Sequence, residues 1–140
     1  MSSLDIDLNT ATPLQRVRYL MARLREPEYG CPWDLKQTYQ SIAPFTVEEA
    51  YEVADTILRE DYEHLREELG DLMFQVVFYS QMAEEEGRFQ FDDVLMDLEQ
   101  KLVRRHPHVF PEGTPDSRIQ PGEQVAEHTI KSNWDAIKQQ

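Results

Sequence analysis

Apolar residues recur along this chain at helical intervals. Over residues 13–26, Leu14, Val17, Leu20, Met21 and Leu24 make one stripe, with Pro13 at the start and Pro27 beyond the end. A loop is expected from Pro27 to Asp34, then a short helical turn over Gln37 to Ile42 that stops ahead of Pro44. The next long helix is predicted to open at Thr46, where Thr46 and Glu49 fit a capping box. Its core stripe reads Val47, Ala50, Ala54, Ile57 and Leu58, with Val53 at the margin. Asp61 can cap a third helix that reaches Glu86 and closes on Gly87. Within it, Leu72 to Tyr79 is apolar nearly all round, which predicts burial, while Phe74 and Phe78 point off the main stripe and call for another helix or another subunit. A fourth helix is predicted over Asp92 to Arg105, with Val94, Leu95, Leu98 and Leu102 inward and Pro107 as its stop. Pro107 to Gly122 reads as a long loop, and Glu123 to Lys138 as a last helix carrying Val125, Ile130, Trp134 and Ile137. No strand period is present. The expected fold class is all-α, an antiparallel bundle of about four to five helices, with residues 13–140 as one domain behind a polar arm at 1–12.

Onto this frame the sequence places two acidic pairs, Glu49 with Glu52 and Glu68 with Asp71. Residues three apart on a helix emerge on one face, about 4.5 Å apart along the axis. Two such helices side by side bring four carboxylates into one cleft, where they repel. A divalent cation that prefers oxygen relieves the repulsion, with Mg2+ expected and Mn2+ as the other choice. Solvated surface acids are the blander reading. Against it, Glu68, Asp71 and Gln75 share a stripe that runs into the apolar stretch, where unpaired charge is costly. Gly70, between the acids, leaves room for a neighbour to approach.

Charge narrows the partners. The net charge is −13 and the isoelectric point about 4.6, which argues against a nucleic-acid polymer but not against one nucleotide carrying metal-screened phosphates. No apolar run has membrane-spanning length, the N-terminus lacks the pattern of a signal peptide, and Cys31 is the one cysteine, so a soluble cytoplasmic protein is expected.

Lys101, Arg104 and Arg105 gather at the end of the fourth helix. They suit either the negative helix terminus or phosphate oxygens. His106-Pro107-His108 suggests zinc only weakly, since no second Cys or His pair supports it. Di-iron bundles use Glu-x-x-His, and no glutamate here has that partner. Trp33 and Trp134 suit core packing or base stacking.

Taken in order, five segments resemble MazG nucleoside triphosphate pyrophosphohydrolases of the all-α superfamily. They are Gly30-Cys31-Pro32-Trp33-Asp34, Glu48-Glu49-x-x-Glu52, Glu68-x-x-Asp71, Lys101-x-x-Arg104-Arg105-His106-Pro107-His108-Val109-Phe110 and Trp134-x-x-x-Lys138. The resemblance runs from about Leu14 to Lys138 and is greatest to the N-terminal copy of the two-domain members. It implies hydrolysis of a nucleoside triphosphate to the monophosphate and pyrophosphate, Mg2+ on Glu49, Glu52, Glu68 and Asp71, and a homodimer. It further implies phosphate contacts from Lys101 with Arg104 or Arg105, and nucleotide contacts from Trp134 and Lys138. Water attacking the α-phosphorus would lose its proton to Glu48 or Glu49, a choice the residues leave open. The alternative is a non-catalytic helical dimer that binds nucleotides or regulates a partner.

Overall fold

The computed structural model describes residues 2–138, so the outermost positions of the expected arm and domain, Met1, Gln139 and Gln140, lie outside the described residues. Among the described residues six helices run in the order α1 (Pro13–Leu24), α2 (Pro32–Leu35), α3 (Tyr39–Leu58), α4 (Tyr62–Glu85), α5 (Phe91–Arg105) and α6 (Glu127–Lys138). The chain is all-helical, and none of the described helices is long and apolar enough to cross a membrane. Met1–Phe91 forms one compact unit and Asp92–Gln140 a second.

In the first unit, α1, α3 and α4 each begin where a side chain takes over a free backbone N–H. Thr12 caps α1 and exchanges hydrogen bonds with Gln15, a capping box that the sequence reading missed by assigning Thr12 to the arm. Thr38 does the same for α3 with Ser41. Asp61 caps α4 by accepting from the His64 N–H, as expected. Gly87, at φ 69°, closes α4: its N–H reaches the Glu84 carbonyl while Arg88 N–H reaches Ala83. An identical closure ends α3, but the left-handed position there holds a glutamate, Glu60 at φ 55°.

The largest departure from expectation is at Pro44. It does not stop a helix; it lies inside α3, which is continuous from Tyr39. Pro44 denies α3 one hydrogen bond, to the Gln40 carbonyl, at a cost of about 3 kcal/mol. Ile42 offsets much of this, since it is 2% exposed and fully burying such a side chain yields about 1.5–3 kcal/mol. The Thr46–Glu49 capping box therefore does not exist. Thr46 sits mid-helix, and Glu49 keeps its carboxylate free of any capping duty.

Met21, Ile42, Val77, Phe78, Met82 and Phe91 form the core, flanked by Leu14, Tyr39, Phe74 and Tyr79. Phe78 takes the first of its two expected partners, another helix, and needs no second subunit. It is fully buried in this chain, with Phe74 edge-on at 5.8 Å and the Arg25 guanidinium over its ring at 5.7 Å. Arg25 also makes a forked pair with Glu85 (3.0 and 2.8 Å) and donates to the Asp34 carbonyl at 2.6 Å, which joins α1, α2 and α4. The expected stripes are only partly inward. Val17 and Leu20 on α1 and Val47, Ile57 and Leu58 on α3 are exposed, because the core takes α3 through Ile42 and Thr56 instead.

After α1 the chain doubles back through Gly30. Its N–H bonds the Glu26 carbonyl and the Cys31 N–H bonds the Leu24 carbonyl, each at 2.8 Å. A Cβ at position 30 would lie 2.2 Å from the Leu24 oxygen. In the second unit, α5 ends near His106, which donates from Nδ1 to the Leu102 carbonyl. The His106 ring also lies 5.4 Å from His108 and 6.2 Å from Trp134.

Two substitutions should move stability in opposite directions under urea denaturation. Glu60→Gly relieves a left-handed glutamate and is expected to stabilise by about 0.5–1 kcal/mol. Gly30→Ala forces backbone atoms apart and is expected to destabilise by at least about 1–3 kcal/mol.

Candidate metal centre

α3 and α4 pack as an antiparallel pair, so a step toward the C-terminus of one matches a step toward the N-terminus of the other. Thr46 meets Gln75, and one turn further along α3 Glu49 and Glu52 come against Glu68 and Asp71. One carboxylate oxygen from each of Glu49, Glu68 and Asp71 lies within 4.8 Å of the others. Glu52 stands outside that trio, with Glu68 the carboxyl that chiefly raises its pKa. All four expected acids are thus drawn to one stretch of the α3–α4 seam. Glu49, Glu52 and Glu68 are half-buried there, while Asp71 and Glu48 are exposed.

The electrostatics follow from the crowding. Burial pushes the Glu49 carboxyl up to about 7, helped by its hydrogen bond to Glu68 and by the charges of Glu68, Glu52 and Asp71. Glu52 is also raised, chiefly by its hydrogen bond to Glu68 and then by that residue's charge. Carboxyls this close share protons rather than all ionise. Four arginines of this unit are engaged with other carboxylates. Arg23 pairs with Glu26, Arg25 with Glu85, Arg59 with Asp55 and Asp61, and Arg88 with Glu86.

These residues fit a hard divalent cation. The donors are all oxygen, and two of them, Glu49 Oε2 and Glu68 Oε2, are shielded from solvent without a hydrogen-bond partner. Their spacing suits an ion that keeps some of its own water. Gly70 does not serve close approach as expected, since a Cβ there would meet nothing within 4 Å.

Three polar neighbours were not singled out as a group from the sequence. Thr46 Oγ1 lies 2.6 Å from the Tyr79 hydroxyl and 3.1 Å from Gln75 Oε1, and Gln75 is 8% exposed. A glutamine inside an otherwise apolar run was the available signal. Trp33 is half-exposed and packs edge-on against Phe45 at 6.1 Å, one turn ahead of Glu49 on α3.

Lys101, Arg104, Arg105, Trp134 and Lys138 all fall in the second unit. Lys101 and Arg104 are exposed on α5, while the Nε of Arg105 is shielded and has no hydrogen-bond partner. The Lys138 ammonium stands over the Trp134 ring at 5.0 Å.

Comparison with known proteins gives a consistent family. The MazG nucleotide pyrophosphohydrolase domain profile matches residues 37–110. Over 125 residues the chain is 50% identical to a nucleoside triphosphate pyrophosphohydrolase of Escherichia coli (strain K12), covering 89% of this chain and 44% of that protein. It is also 50% identical over 91 residues to the nucleoside triphosphate pyrophosphohydrolase/pyrophosphatase MazG of Thermotoga maritima, covering 65% of this chain and 35% of that protein. The chain therefore spans less than half the length of these relatives. A crystal structure of a mazG-related protein from Thermotoga maritima has a similar fold, with a TM-score of 0.68 at 21% identity over 90% of this chain and 99% of that one.

The raised Glu49 carboxyl gives a pH dependence of definite sign. Its folded-state value is about 7 against 4.5 for the free group, so between these pH values the folded protein holds more protons than the unfolded chain. The stabilisation is complete below about 4.5 and lost as pH rises through about 7. The melting temperature of metal-free protein should fall across this window, and Glu49→Gln should flatten the fall. Added Mn2+ should restore stability most strongly on the alkaline side, where protons no longer compete.

Proposed function

Because the chain belongs to the MazG nucleotide pyrophosphohydrolase family, we propose that it hydrolyses nucleoside triphosphates to the monophosphate and pyrophosphate, with Mg2+ held by Glu49, Glu68 and Asp71 and assisted by Glu52. The observation that carries this reading is the meeting of three carboxylate oxygens within 4.8 Å, two of the glutamates having shielded oxygens without partners. When bound, Mg2+ would neutralise carboxylate and phosphate charge and acidify its water. Mn2+ has the same ligand preference.

Water oxygen bonds to the α-phosphorus, the bridge between α-phosphorus and β-phosphate oxygen breaks, and pyrophosphate leaves. Glu49 is proposed to accept the water proton. Glu48, the other candidate, is exposed beside it. Lys101, Arg104 and Arg105 are proposed to hold phosphate oxygens, with the partnerless Arg105 Nε as support. Trp134, under the Lys138 ammonium, and Lys138 itself are proposed to contact the nucleotide. A homodimer is part of the same proposal, since Val47, Tyr51 and Leu58 on α3 and Leu69 and Met73 on α4 are exposed in the single chain.

Purified protein with Mg2+ and a panel of canonical and modified nucleoside triphosphates should release pyrophosphate, and solvent oxygen-18 should enter only the nucleoside monophosphate. Orthophosphate as the product, or label in pyrophosphate, would overturn the proposed cleavage. Glu52→Gln and Asp71→Asn should each lower turnover more than about 100-fold, beyond the loss usual for an outer-shell partner. The far-UV circular dichroism of both variants should be unchanged. Full activity in either would remove that residue from the site.

A further inference from the structure

We propose that Tyr79, Thr46 and Gln75 form a clasp of positioning residues that sets the register of α3 on α4, and through it the spacing of the carboxylates that face each other across the seam. Thr46 has one hydroxyl proton. It is shared between Gln75 Oε1 at 3.1 Å and the Ile42 carbonyl of its own helix at 3.4 Å, so the Tyr79 hydroxyl donates to Thr46 Oγ1 at 2.6 Å. The amide of Gln75 is thereby oriented, with its carbonyl committed to the hydroxyl chain.

The clasp is placed where it can control the acids. Thr46 lies one turn before Glu49 on α3, and Gln75 lies one turn after Asp71 on α4. The hydroxyl–amide contact and the carboxylate contacts are thus neighbouring rungs of one antiparallel seam. Sliding either helix by a turn moves its side chains about 5.4 Å. Such a slip would break the clasp and part the carboxylates together. The carboxylates cannot hold the register unaided, because they repel when ionised. Apolar contacts specify it loosely, since side chains of similar shape interchange along a seam. A buried polar contact has one satisfied alignment and leaves Gln75 without its hydroxyl partner in every other.

The clasp has an anchor of its own. Tyr79 stacks on Tyr39 with ring centroids 6.2 Å apart and planes 15° apart, and the Tyr39 hydroxyl donates to Glu86 at 2.8 Å. Tyr79 is therefore fixed by the first turn of α3 before it reaches Thr46. Positioning through such partners typically alters metal affinity about 10- to 100-fold.

The consequence for metal rests on the reading of the acid cluster as a cation site, so the test separates the two. Mn2+ binding, measured by calorimetry, should weaken about 10- to 100-fold in Thr46→Val and in Gln75→Leu. Thr46→Ser should recover near-parental affinity. Met21→Ala, a core change away from the seam, should lower the melting temperature and leave Mn2+ affinity as it was. In metal-free protein carrying Cys31→Ser, oxidative cross-linking of Glu52→Cys to Glu68→Cys should slow severalfold when Thr46→Val is added. Parental Mn2+ affinity in Thr46→Val, or an equal loss in Met21→Ala, would overturn the proposal. An unchanged cross-linking rate would overturn it whatever the metal does. A parent that binds no Mn2+ while its cross-linking still responds to Thr46→Val would remove the metal reading and leave the clasp standing.

Discussion

Like charges held together against their own repulsion are the constraint on which this structure turns. Glu49, Glu52, Glu68 and Asp71 converge on one seam of two helices, and four arginines of that unit are engaged with other carboxylates. Nothing in the cluster favours its own assembly at neutral pH. The alignment must be imposed by neighbours, and the structure places them on the Tyr79 side: the hydroxyl–amide contacts of Thr46, and beyond them the core around Ile42, Val77 and Phe78. A half-buried site raised in energy in this way is poised to take up whatever neutralises it, first protons and then a divalent cation.

Much of this was legible in the chain. The all-helical class, the Asp61 start and Gly87 stop of α4, and the gathering of two acid pairs follow from rules that act within one helical turn. Those rules fail where a distant contact outweighs a local preference. Pro44 reads as a helix stop because locally it is one, yet Ile42, two residues earlier, is anchored in the core and α3 runs through. That error generated another: with the helix wrongly begun at Thr46, its hydroxyl was assigned to capping, when it bridges to α4. Phe78 calls for another helix or another subunit by its stripe alone, and distant contacts decide between them. The partners that cover it include Arg25, a charged residue that no hydrophobic pattern nominates as a core contact.

Assignments on the second unit stand on a different footing from those on the first. Lys101, Arg104, Arg105, Trp134 and Lys138 were picked out by residue type and family resemblance, and their local arrangement supports particular chemistry. The ammonium over an indole and the shielded guanidinium nitrogen are both local features of that unit. By contrast, the acids of the first unit can be argued from geometry alone, because α3 and α4 bring them together within one folded element pair.

Arg25 carries one consequence of its own. A helix of four residues such as α2 is too short to persist by itself. Its Asp34 carbonyl is held by a guanidinium that belongs to the end of α1, is clamped by a glutamate of α4 and lies over the Phe78 ring. The dwell time of α2 in its folded form is therefore decided by an event elsewhere, the departure of one side chain from three partners at once. Until that happens, the loop between α1 and α3 is as long-lived as the core it rests on.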